Sequence, residues 1–268
     1  MLGGQSPTGE KRSRQMSQEA KQGAFNKVAH QVFRKTLLVL EIILGYVAFS
    51  VTGVIGVGVV FGQFIPLGRL FNTMQGINGV PVLLASFIKV ILFTLVVYGL
   101  QRLHRQNMRD LGLRLPSLNW VRFLLLSVGL VIAGQGLLLM TQKLVGESAE
   151  ANLATFDLGT PLSLLGWIGV GWIHGGFGEE LLNRGFLFVR LETLFGKRPW
   201  STILAVVLLV AFFGLGHAYQ GVAGIILTAI TSLVFWAVYF LSGRNLWASI
   251  IAHGCWDTIG WLLIASGL

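Results

Sequence analysis

Hydrophobic and polar positions divide the chain into a polar, basic start and a series of long apolar runs with short charged breaks between them. The runs fall at about 36–62, 80–100, 120–140, 161–191, 201–217, 222–241 and 246–265. At about 1.5 Å of rise per residue, helices of these lengths cross or nearly cross a hydrocarbon core of about 30 Å. The pattern predicts an all-α fold, a polytopic transmembrane helix bundle of about seven membrane helices. Residues 1–35 read as a basic cytoplasmic tail, in which Phe25, Val28, Val32 and Phe33 recur at helical spacing against Lys27 and Arg34. That spacing suits an interfacial helix lying on anionic lipid, with a disordered tail as the alternative. Residues 36–268 read as a single transmembrane domain, its N-terminal helices over 36–158 and the helices that carry polar motifs over 160–265.

Composition agrees with this reading and removes one alternative. Apolar residues make up 54% of the 268-residue chain and charged residues 12%. The net charge of +9 would suit a nucleic-acid binder, but the basic residues stand in short blocks between apolar runs, where they read as topology signals. With the N-terminus inside, the inner segments hold the basic tail, Arg102, Arg105, Arg109, Arg114, Arg190, Lys197, Arg198 and Arg244; the outer loops hold Arg69 and Lys143. The bilayer is therefore an expected partner and nucleic acid is not. The membrane itself is expected to be a bacterial inner membrane, with thylakoid and endomembrane as alternatives. A single cysteine, Cys255, excludes an internal disulfide framework and a multi-cysteine metal site.

Against that apolar background the segment 174–184, His-Gly-Gly-Phe-Gly-Glu-Glu-Leu-Leu-Asn-Arg, is anomalous. Ionised carboxylates in hydrocarbon cost about 2.5–3.5 kcal/mol each on insertion scales, so Glu179 and Glu180 require partners or a function. In an α-helix Arg184 shares a face with Glu180, four residues away, and Glu179 is rotated by about 100°. Glu180 and Arg184 are thus expected to pair, leaving Glu179 for a polar cavity. The alternative is an ordinary helix end with Arg184 among the headgroups. Lys89, near the middle of its run, is too deep to reach water and should face a polar partner that the sequence does not identify.

Three more polar residues lie in otherwise uncharged runs: His217, four residues after Phe213, and His253 and Asp257, four apart on one helical face. If the 161–191 and 201–217 helices form a hairpin near Lys197, Glu180 and His217 meet at similar depth. His253 sits only about 10 Å from the start of its helix, so straight vertical helices leave it short of His217. Tilt, a break around 220–224 or an unravelled stretch near 175–178 must close that gap.

Glu179-Glu180-x-x-x-Arg184, Phe213-x-x-x-His217 and His253-x-x-x-Asp257, in that order on successive apolar helices, resemble the three motifs of the CPBP family, the CAAX prenyl protease type II and bacteriocin-processing group of intramembrane proteases. The resemblance covers about 160–265. It implies an intramembrane endopeptidase whose water is activated by Glu179 and His217, with His253 and Asp257 stabilising the oxyanion and Glu180, Arg184 and Phe213 in support. The residues' own chemistry favours a different part for Asp257, orienting His253, because an ionised aspartate repels an oxyanion. The same four residues, Glu179, His217, His253 and Asp257, are also a possible zinc set with a water in the open position, so a metal is neither required nor excluded at this stage. The expected function is glutamate-dependent hydrolysis of a peptide bond in a membrane-associated protein or peptide. A non-proteolytic scaffold that retains the motif and an ion-coupled carrier are its rivals.

Overall fold

The structure, a computed structural model, describes residues 7–62, 76–115, 120–145, 156–196 and 198–267. Arg69 and Lys197 lie outside the described residues. The chain divides into two units, Met1–Glu41 and Ile42–Leu268. The described part of the first is helical and belongs to α1 (Pro7–Phe61).

The second unit contains the rest of α1 and then α2 (Gly79–Leu103), α3 (Trp120–Val145), α4 (Pro161–Val170), α5 (Phe188–Phe195), α6 (Pro199–Leu215), α7 (Gly221–Leu241) and α8 (Leu246–Ala265). Among the described residues, four helices are long and apolar enough to cross a membrane: Arg14–Phe61, Gly79–Leu103, Ala218–Leu241 and Leu246–Ala265. Phe123–Gly136 and Pro199–Leu215 are shorter apolar helices. The chain is an all-α, multi-pass membrane protein.

Between α4 and α5 the helix does not unravel at its glycines, one of the three ways expected to bring His253 to His217, but widens. Gly171–Glu179 and Leu181–Leu187 are π-helical, so Pro161 to Phe195 is one continuous rod with two wide segments in its middle. The rod packs against α8 and α2. Gly175 makes the first of these contacts possible, since a Cβ there would lie 2.7 Å from Asp257 Oδ2 and 3.0 Å from His253 Nε2.

At one end of the unit, β1 (Ile77–Asn78) pairs in parallel with β2 (Phe156–Asp157). Gly79 N donates to Ser163 Oγ at 2.8 Å and Trp167 Nε1 to the Ile77 carbonyl at 3.2 Å, fastening the start of α2 to α4. Phe156, Trp167 and Trp261 cluster there, adding the end of α8. The opposite end is held by polar contacts. Arg190 Nη2 donates to Gln101 Oε1 at 2.7 Å, and Arg244 makes two hydrogen bonds to Glu192, at 2.8 and 3.1 Å.

α6 and α7 form an antiparallel hairpin. Its tip is a break at Gly216, a single 3₁₀ turn over Ala218–Gln220 and Gly221 at φ +79°. The expected break around 220–224 therefore falls a few residues earlier, where His217 ends the helix.

Candidate active site

The wide segment determines which side chains meet. In a regular α-helix residues five apart diverge by about 140°, whereas the i→i+5 closure of a π-helix stacks them. His174 and Glu179 are five apart, and His174 Nε2 stands 3.4 Å from Glu179 Oε1. The backbone carbonyl of Glu179 accepts from Asn183 Nδ2 at 3.0 Å, so a side chain serves the widened ladder here. His174 escapes an α-helical reading of the sequence, whereas Asn183, four residues after Glu179, does not. The local glycines were the available signal, and they pointed to unravelling as readily as to widening.

Glu180 turns away from this group. Its Oε1 accepts from Arg184 Nη1 at 2.8 Å, with both side chains at 0% exposure. Arg184 Nη2 donates to the Ser232 carbonyl at 3.0 Å and to Ser232 Oγ at 2.6 Å, linking the rod to α7. Its guanidinium carbon lies 5.3, 5.5 and 5.1 Å from the ring centres of Phe213, Phe235 and Trp236, a cage that suits a weakly hydrated planar cation.

The same Glu180 Oε1 also accepts from His253 Nδ1 at 2.8 Å. That contact fixes the imidazole with Nδ1 protonated, and stacking on Phe235 at 4.4 Å fixes its plane. His253 Nε2 is thereby aimed at the remaining carboxylates, 4.0 Å from Glu179 Oε2 and 3.8 Å from Asp257 Oδ2. The carboxylate that orients His253 through its Nδ1 is Glu180 rather than Asp257, which stands on the other side of the ring. Motif spacing favoured Asp257 because it shares a helix with His253; Glu180 arrives from another element.

His217, two residues past the end of α6, donates from Nδ1 to the Phe213 carbonyl at 2.9 Å, which leaves Nε2 as the acceptor nitrogen of the neutral ring. The Phe213 ring lies between the two histidines, 5.1 Å from His217 and 6.1 Å from His253. His217 and Glu179 are near enough to interact electrostatically, as are Tyr219 and Glu179. The other three residues expected to carry chemistry, His217, His253 and Asp257, thus interact with Glu179. Its nearest basic neighbour is His174.

Among the described residues, no three His, Cys, Asp or Glu side chains converge as a group able to hold a metal ion. Glu180 Oε1 is committed to Arg184 and His253, and His253 Nδ1 to Glu180, so Nε2 is the His253 nitrogen that faces Glu179 and Asp257. A cavity of about 620 Å³ adjoins the wide segment on another flank; Val90, Ile91, Trp172, Phe177 and Ile250 are among its apolar walls, and Glu179 is not.

Residues 161–259 match the family model described as type II CAAX prenyl endopeptidase Rce1-like. That stretch is similar to this family, and the match is in keeping with the CPBP motifs. No curated protein and no solved structure matches the chain.

Proposed function

We propose that this protein is a membrane-embedded endopeptidase that hydrolyses a peptide bond of a membrane-associated protein or peptide, with water activated by Glu179 and His217. The observation that carries the reading is the division of labour between adjacent glutamates. Glu180 is neutralised by Arg184 at 2.8 Å, while Glu179 points at histidines instead of a permanent cation.

Attack on an amide requires a base for water, a donor for the carbonyl oxygen as it gains charge, and a proton for the departing amine. Glu179 accepts the proton of water, with the unprotonated Nε2 of His217 as the second acceptor. His253, held by Glu180 through Nδ1, donates from Nε2 to the oxyanion when it is protonated. Asp257 Oδ2, 3.8 Å from that nitrogen, sets its charge. Glu179 then returns its proton to the leaving nitrogen. The basic blocks support an N-terminus on the cytoplasmic side, and a bacterial inner membrane is part of the proposal.

The test is cleavage of a mixed pool of membrane-proximal peptides by the full chain in nanodiscs. Glu179→Gln and His217→Ala are each expected to reduce kcat by about 10²–10⁴-fold with the helical content unchanged, the range for loss of a positioned acid–base group. Activity that survives Glu179→Gln would sink the catalytic reading and favour a scaffold. A chelator is expected to leave wild-type activity unchanged, because no three such side chains among the described residues are grouped to hold a metal ion; activity lost on chelation and restored by zinc would contradict that expectation.

A further inference from the structure

Lys89 is a cation in the middle of an apolar helix, and the mechanism above gives it no part. Such a group faces a polar partner in the protein interior or pays heavily for its position. Lys89 Nζ lies 3.4 Å from His174 Nε2, the same nitrogen that stands 3.4 Å from Glu179 Oε1. Three elements are built to keep it there. Nζ sits 3.6 Å from the centre of the Phe49 ring, and that ring also lies against His174, with centroids 5.7 Å apart. Phe93 holds Phe49 edge-on at 5.0 Å. A Cβ at Gly53 would touch Lys89 Cδ and Cε at 3.4 Å, so the stem lies along α1 where that side chain is absent.

We propose that Lys89 and His174 are positioning residues for Glu179: they hold its Oε1 and supply the balancing positive charge, so that Oε2 is presented to the side of the site where His253 and His217 stand. The inference rests on the reading of Glu179 as the base. One nitrogen meets both neighbours, so Nε2 donates to Glu179 when it carries the proton and accepts from Lys89 when it does not, while the ammonium acts on the carboxylate through its charge in both cases. Other groups cannot take this part. Arg184 is committed to Glu180 and Ser232, His253 Nδ1 to Glu180, and His217 Nδ1 to the Phe213 carbonyl. Asp257 on α8 and Tyr219 at the hairpin tip also act on Glu179, and neither contributes a positive charge.

The test separates the inference from the reading beneath it. In the full chain in detergent, the carboxylic C=O stretch absent from Glu179→Gln is assigned to Glu179 and followed by infrared spectroscopy against pH. In Lys89→Met the midpoint for its appearance is expected about one pH unit or more above the wild-type value, a tenfold change in proton affinity. His174→Gln is expected to shift it in the same direction, and Lys89→Arg to restore it. A midpoint unmoved in folded Lys89→Met or in His174→Gln overturns the inference. Cleavage by Glu179→Gln alongside a shifted midpoint leaves the positioning intact and removes only the hydrolytic reading.

Discussion

Glu180 Oε1 is the atom on which the site is built, because it accepts from Arg184 and His253 at 2.8 Å each and so ties the rod, α7 and α8 together. The energetic consequence lies in what happens when one partner is removed. Arg184→Met leaves a carboxylate buried without its permanent cation, and loss of one member of a buried pair costs about 3–5 kcal/mol. Replacing both, as Glu180→Gln with Arg184→Met, removes the uncompensated charge and is expected to recover part of that loss. Thermal unfolding in detergent measures the difference. A double variant no more stable than Arg184→Met would mean that packing in the aromatic cage, and not charge compensation, is what Arg184 supplies. The Glu180–Arg184 pairing is legible in the sequence because four-residue spacing is local. The hydrogen bond from His253 to the same oxygen is not, since it joins residues far apart in the chain and depends on how α8 packs against the rod.

At the scale of the element, the wide segment decides the composition of the site. An α-helical register keeps His174 away from Glu179 and gives Lys89 no route to the carboxylate; the π register supplies both. A crosslink tests this directly. In a regular α-helix residues five apart have Cα atoms roughly 8–9 Å from each other, beyond the 7 Å or so that a disulfide can bridge. With Cys255 replaced by Ala, a His174→Cys, Glu179→Cys chain is expected to form an intrachain disulfide under mild oxidation. A control pair five apart within α8 should not. Failure of the 174–179 pair to close would indicate α-helical geometry at the site and remove His174 from Glu179. The helices themselves were legible: uninterrupted apolar runs delimit α2, α6 and α7 to within a few residues, and the last run coincides with α8. The widening was not, because glycine lowers the cost of a π turn and of a broken helix alike.

Across the whole membrane unit, the two ends differ in chemistry. One end gathers Arg190, Gln101, Glu192, Arg244 and the loop bearing Arg105, Arg109 and Arg114, with Arg114 Nη2 donating to the Gly243 carbonyl at 2.6 Å. The other joins Asn78 to Asp157 and buries an aromatic cluster, with no Lys or Arg among those residues. The basic loops cluster at one end because the helices alternate in direction, and cytoplasmic loops are the ones enriched in Lys and Arg. The proposed topology puts the Arg-rich end in the cytoplasm. With Cys255 replaced by Ser, single cysteines at exposed Leu115 and exposed Gly159 report on opposite ends of the unit. Gly159→Cys is expected to react with a membrane-impermeant maleimide in intact cells, and Leu115→Cys only after permeabilisation. The reverse pattern would invert the topology, and it would also show that interhelical contacts rather than lipid charge placed the arginines, since Arg190 and Arg244 are bonded to neighbouring segments whichever side they face.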